Sequence, residues 1–179
     1  MTVAADVADA LELDRVLWIP AGSPPHKSDL EVTSTSSRLA MVRAACVADP
    51  RFEVCTLEVE RAGASYMVDT VRTLRSTYPE AELFLILGID QFRLFDTWRE
   101  PAEIARLIRL AVMDRRGESA TSFRDPVPGG RDAIFVPVRR VDVSSTDVRA
   151  RRRRGEDLSA WVPAGVRAVI ERDGLYSAP

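Results

Sequence analysis

At 179 residues the chain is long enough for one domain with a substantial core. Its 46% apolar and 29% charged residues are those of an ordinary globular protein, and a formal net charge of -2 gives no general pull toward nucleic acid or an anionic membrane, so any anion site must be local. No apolar run reaches the length of a membrane span, the acidic start (Asp6, Asp9, Glu12, Asp14) does not read as a signal peptide, and two cysteines with one histidine make neither a disulfide framework nor a transition-metal site. A cytoplasmic protein with free, buried Cys46 and Cys55 is the expectation.

Val3, Ala4, Val7, Ala8 and Leu11 recur at helical spacing, which predicts an amphipathic helix over 3–13. Arg15 to Ile19 is a short apolar strand stopped by Pro20, and the Pro/Gly/Ser-rich residues 20–34 are a loop. A helix is expected over 36–48, with Leu39, Val42 and Cys46 on one face, then a strand from Phe52 to Leu57 and a turn at Arg61-Ala62-Gly63-Ala64. Tyr66 leads into a helix through Tyr78. Leu83-Phe84-Leu85-Ile86-Leu87 is continuously apolar, as a strand buried on both faces requires. Short helices follow Gly88 and Pro101, the latter a good first-turn residue. Leu110 to Met113 is a strand, 115–131 a polar loop, 133–137 a strand, and helices begin near Ser145 and Pro163. The alternation of helix and strand predicts an α/β protein with a parallel sheet. No strand precedes the first helix, and neither a G-x-G-x-x-G nor a Walker-type sequence occurs.

Two segments suggest chemistry. Ser144-Ser145-Thr146-Asp147-Val148-Arg149 opens a helix with hydroxyls and an Arg one turn later. A helix start offers unbonded N–H groups and partial positive charge, which suits phosphate, although the same residues also make an ordinary N-cap with a surface Arg. Far upstream, Pro24-Pro25 would present His26 and Lys27 on a restrained loop. The run Arg151–Arg154 reads first as a solvated helix end, with a phosphate clamp or RNA contact as lesser alternatives.

Five segments in one order, Ile19-Pro20 through His26-Lys27, Ser65-Tyr66-Met67-Val68-Asp69-Thr70, Leu87-Gly88-Ile89-Asp90, Thr97-Trp98-Arg99 and Ser144-Ser145-Thr146 with Arg149, together resemble the bacterial nicotinate mononucleotide adenylyltransferases. The resemblance runs from Val7 to Tyr176 and implies a Rossmann-like, doubly wound parallel sheet of the nucleotidyltransferase type, one domain over 1–179, with 144–179 a helical phosphate-binding subregion. The implied reaction joins nicotinate mononucleotide to the adenylyl group of ATP, in NAD biosynthesis. By resemblance Lys27, Arg149 and His26 serve the reacting phosphates, while Gly88, Asp90, Arg115, Ser144, Ser145 and Thr146 hold ATP. Tyr66, Met67, Thr70 and Trp98 hold the nicotinate nucleotide. Trp98 with Phe92 and Phe95 could equally be core, and Asp90 could also cap the helix it opens. Met67 stands where a Thr is usual, and Arg115-Arg116-Gly117 lacks the usual Pro. Mg2+ is expected through the ATP phosphates, with no protein-held metal, no nucleic acid or membrane partner, and homo-oligomerisation left open. Other readings are a non-catalytic nucleotide-binding paralogue, or a related enzyme using nicotinamide mononucleotide or pantetheine phosphate.

The family's opening motif, Gly-x-Phe-Asp-Pro-x-His-x-Gly-His, has no counterpart ahead of Val3-Ala4-Ala5. Its strand would lie between those at 15–19 and 83–87, so its loss would leave two edges unpaired or force them to pair directly. The expectation is a natural start upstream of Met1. Loss of one transition-state donor costs ~10²–10³ in rate. Adenylyl transfer by the chain as written should therefore be weak and should rise on upstream extension. A pyrophosphate-release assay checks this, and robust turnover by the 179-residue form would contradict it.

Overall fold

A computed structural model describes residues 1–22, 33–114 and 133–177. The chain forms two compact bodies, one of Met1, Arg15–Gly63 and Val141–Pro179, the other of Thr2–Asp14 and Ala64–Arg140.

The second body is built on three parallel strands, β3 (Phe84–Gly88), β4 (Arg109–Asp114) and β5 (Ile134–Pro137), in that spatial order. Register pairs Leu87 with Val112, and Val112 with Phe135. Side chains alternate between faces along each strand. Leu87, Leu110 and Val112 are buried on one face, with Leu85 and Phe135 packed beside them. Helices α4 (Met67–Thr77), α5 (Ile89–Arg93) and α6 (Pro101–Leu107) supply Val68, Val71, Phe92, Ile104 and Ala105 to this cluster. Ala111, Val136, Phe84 and Ile86 form the opposite face, covered by Val7 and Leu11 from the segment of α1 (Thr2–Ala10). Phe92 and Phe135 meet edge to face at 5.5 Å. Each such buried side chain contributes about 1.5–3 kcal/mol. The uninterrupted apolar run at 83–87 is thus explained by cover on both faces.

The first body holds a parallel pair, β1 (Val16–Trp18) and β2 (Phe52–Val54), with Trp18 edge-on to Phe52 at 5.6 Å. β1 and β3 belong to different sheets, so the direct pairing considered from the sequence does not occur. The strand expected over Phe52 to Leu57 ends at Val54, and Leu57–Glu60 instead forms one helical turn, α3. A contact from outside the segment accompanies that turn. A Cβ on Gly22 would lie 2.1 Å from the Glu58 carbonyl oxygen, so only glycine lets the two backbones approach this closely. Arg38 on α2 (Thr35–Cys46) fixes the same stretch, its guanidinium donating to the carbonyls of Ala21 and Gly22 at 2.5 and 2.8 Å.

Helix α2 starts at a Ser34 cap and packs along α8 (Ala164–Arg172). Buried Ser37 donates its hydroxyl to Asp173 at 2.7 Å. Near them, Val148 of α7 (Ser145–Arg153), Leu158 and Ile170 form a small core with Met41, Trp161 and Tyr176 beside it. The Arg172 guanidinium, and then the Ser37 hydroxyl, hold the Asp173 carboxyl down at about 2 from an ordinary 3.8. A carboxylate depressed in the folded state adds stability above its unfolded pKa, and that stability is lost as pH falls through the folded value. Urea midpoints measured from pH 5 to pH 2 should therefore fall more steeply for the parent chain than for Asp173→Asn. Parallel curves would contradict this.

Candidate functional site

In the second body the sheet's C-terminal end is marked by Gly88, which closes β3 and is the N-cap of α5 with φ -73° and ψ 154°. Any residue adopts that conformation, and a Cβ there would meet nothing within 4 Å among the described residues. Neither backbone strain nor packing requires glycine at this position, and what its small size provides is open space beside the strand end. Asp90 lies in the first turn of α5 without being its cap, and its side chain is 89% exposed, with Arg93 4.0 Å away. The capping role considered for Asp90 falls to Gly88.

Tyr66, Met67 and Thr70 sit at the start of α4, for which Tyr66 is the N-cap. Thr70 is fully buried, with its hydroxyl directed at the Tyr66 carbonyl at 3.5 Å. Met67 packs against the main core, whereas Tyr66 stays exposed. The core reading of Trp98 holds in part. Phe92 and Phe95 are buried, while Trp98 is half-buried, tilted against Phe95 at 5.5 Å. Part of the indole completes the core, and the rest is open to solvent.

The structure joins the segments 65–70 and 97–99 through a residue to which the sequence assigned no separate role. The Arg99 guanidinium lies over the Tyr66 ring, 4.6 Å from its centroid. Glu100, the next residue, is in the left-handed region at φ 51° and ψ 56°, and Pro101 then opens α6. A non-glycine residue held there costs about 1–3 kcal/mol unless its surroundings fix it. Arg72 on α4 supplies such a restraint, donating to the Glu100 carboxylate at 2.6 Å. The sharp bend behind Trp98 and Arg99 is therefore anchored to the helix that carries Tyr66.

In the first body, α7 begins as its sequence predicts. Ser144 is the N-cap, its hydroxyl oxygen accepting from the Asp147 amide at 3.0 Å and donating to the Asp147 carboxylate at 2.6 Å. Ser145 and Thr146 are exposed, and half-buried Arg149 donates to the Thr146 hydroxyl at 3.3 Å. Asp147 was missed as a participant, although Ser-x-x-Asp is a capping pattern visible in the sequence. The arginine run forms a helix end. Arg151 stacks on Trp161 at 4.0 Å and pairs with Glu156 at 2.6 Å, while Arg153 and Arg154 are exposed.

His26, Lys27 and Arg115 lie outside the described residues. Among the described residues no group of three or more His, Cys, Asp or Glu is placed to hold a metal ion, and no helix is long and apolar enough to cross a membrane. Cys46 is buried and Cys55 half-buried, both free, and burial pushes the Cys46 thiol up.

The profile of the cytidylyltransferase-like family matches residues 1–151. A probable nicotinate-nucleotide adenylyltransferase of Salinibacter ruber is 40% identical over 176 residues, covering 98% of this chain and 89% of that protein. The chain belongs to this family. A relative of the same description in Shouchella clausii is 37% identical, covering 98% of this chain and 88% of its own length. Of solved structures, the Plasmodium falciparum nicotinic acid mononucleotide adenylyltransferase complexed with NaAD superposes with a TM-score of 0.73 at 13% identity, over 97% of this chain and 90% of that one. The same enzyme complexed with APC gives 0.72 at 12% identity, over 97% and 89%. The likeness carries the nucleotidyltransferase-type α/β fold.

Proposed function

We infer that this member of the family transfers the adenylyl group of ATP to nicotinate mononucleotide, giving nicotinate adenine dinucleotide and pyrophosphate in NAD biosynthesis. The observation that carries the reading is the 40% identity to a named relative over 98% of the chain. In this reaction a phosphate oxygen of the mononucleotide attacks the α-phosphorus of ATP. The bond to the α–β bridging oxygen breaks, and pyrophosphate leaves with the electron pair. No enzyme nucleophile is needed, so the protein's work is positioning and neutralising anions.

In the second body, the open space at Gly88 and the exposed Asp90 carboxylate suit adenosine, the carboxylate accepting from ribose hydroxyls. Tyr66, Met67 and Trp98 serve the pyridine nucleotide, with the exposed part of the indole as a stacking surface. Thr70 acts by bracing the Tyr66 carbonyl. In the first body, the subregion 144–179 binds phosphate through Ser144, Ser145, Thr146 and Arg149 at the start of α7. His26, Lys27 and Arg115 keep the phosphate roles that the resemblance gives them. A divalent cation, Mg2+ in this reading, would be held through the ATP phosphates. When bound it would supply charge neutralisation there.

Calorimetric titration with nicotinate adenine dinucleotide and with dephospho-coenzyme A separates pyridine from pantetheine recognition, because the two share an adenosine half. Saturable binding of the pyridine dinucleotide, at least about tenfold tighter, is expected. Equal or tighter binding of dephospho-coenzyme A would contradict the assignment.

A further inference from the structure

We propose that the cavity at the C-terminal end of α7 binds an aliphatic α-amino acid as its zwitterion, with the carboxylate on Arg152 and Arg167 and the ammonium on Glu171. The site lies wholly within the first body, at the opposite end of α7 from Ser144, and it stands apart from the adenylyl-transfer reading.

Backbone geometry builds the cavity. Gly155 is in the left-handed region at φ 71°. With it α7 closes in a Schellman turn, the Glu156 amide donating to the Arg151 carbonyl at 3.1 Å and the Gly155 amide to the Arg152 carbonyl at 3.0 Å. The chain thereby reverses, and Leu158 is seated against Ile170 of α8 in the small core. Arg167, Ile170 and Glu171 fall on one face of α8 at helical spacing. With Arg152 and Leu158 they line a cavity of about 240 Å³. That is below the roughly 300–1,000 Å³ of sites for drug-sized ligands, and it suits a smaller molecule.

The charges around the cavity divide into paired and unpaired. Glu156 pairs with Arg151 at 2.6 Å and with Arg154 at 2.5 Å, and the Trp161 ring backs Arg151. Asp157 accepts from the amide and the hydroxyl of Ser159, and it lies 3.9 Å from a terminal nitrogen of Arg167, beyond hydrogen-bond range. Arg152 is half-buried, and among the described residues neither its side chain nor that of Glu171 has a hydrogen-bond or ion-pair partner. The Nε atoms of Arg152 and Arg167 are both buried without a hydrogen-bond partner. Each guanidinium has thus lost hydration on one side with no protein acceptor in exchange.

An unpaired cation and an unpaired anion therefore line one cavity without pairing with each other. A plain oxyanion would serve the guanidiniums but would bring further negative charge toward Glu171 and Asp157. A plain amine would leave both arginines unserved. An α-amino acid carries both complementary ends on one carbon. Its carboxylate matches the planar guanidinium through the terminal N–H groups, and its ammonium donates to Glu171. Leu158 and Ile170, both buried, give the cavity an apolar floor that favours an aliphatic side chain.

The test follows amide and arginine Nε–H shifts of the 15N-labelled chain during titration with L-leucine. Isocaproate, which lacks the ammonium, isoamylamine, which lacks the carboxylate, and inorganic phosphate are titrated beside it. Arg152→Gln and Glu171→Gln remove one charge each without breaking a contact among the described residues, and circular dichroism establishes that both are folded. Leucine should produce saturable shifts at the Gly155 amide and the Arg152 and Arg167 Nε–H groups, with a Kd at least about tenfold below that of each comparison compound. Each substitution should weaken leucine binding about tenfold. Phosphate or isocaproate binding as tightly as leucine would make this a plain anion site and overturn the proposal. So would the absence of any saturable leucine shift, or equal leucine affinity in parent and variants. None of these results bears on adenylyl transfer, which the dinucleotide titration tests separately.

Discussion

Parallel pairing of β3, β4 and β5 is the constraint from which the second body's chemistry follows. Parallel strands send all their C-terminal ends to one edge, and cover on both faces leaves that edge as the place where backbone groups meet solvent. The turn after β3 opens there with Gly88, whose missing side chain leaves room that no described part of the protein fills. The same burial fixes Phe92 and Phe95 and thereby seats Trp98 half inside the core. In the proposed stacking role, an indole backed by packed aromatics would lose little freedom when a flat heterocycle lies on it.

Charge in this part of the chain is arranged by commitment. Arg72 gathers Asp69, Glu100 and Glu103, and the Tyr66 ring holds Arg99. Arg99 also stands 3.8 Å from Glu100, so both guanidiniums take part in one charged corner. The start of α7 follows a comparable rule in the first body. Ser144 and Asp147 satisfy each other, while Ser145 and Thr146 remain exposed with Arg149 close by. An incoming phosphate there would meet hydroxyls and helix N–H groups, and also the Asp147 carboxylate, which any bound anion must displace or share donors with.

Much of this was legible in the sequence because period and punctuation agreed. The apolar run at 83–87 could belong only to an element covered on both faces, and Pro101 and Ser144 marked helix starts that the structure reproduces. The strand read through Leu57 stops early, because Leu57-Glu58-Val59-Glu60 alternates like a strand yet folds as a helical turn beside Gly22, more than thirty residues away in sequence. A contact of that range leaves no local periodicity to read. Arg99 was visible only as part of a motif. Its contact with the Tyr66 ring is a product of tertiary packing. The left-handed Glu100 was equally hidden, since neither its type nor its neighbours announce a positive φ.

The central proposal is that a pyridine dinucleotide is recognised in the second body by the rim of Gly88, Tyr66 and Trp98. Amide and indole chemical shifts of the uniformly 15N-labelled chain, followed during titration with nicotinate adenine dinucleotide, test it most directly. The account predicts saturable shifts at the Gly88 and Ile89 amides and the Trp98 indole N–H. Shifts confined to other regions, with these signals unmoved at saturation, would contradict it.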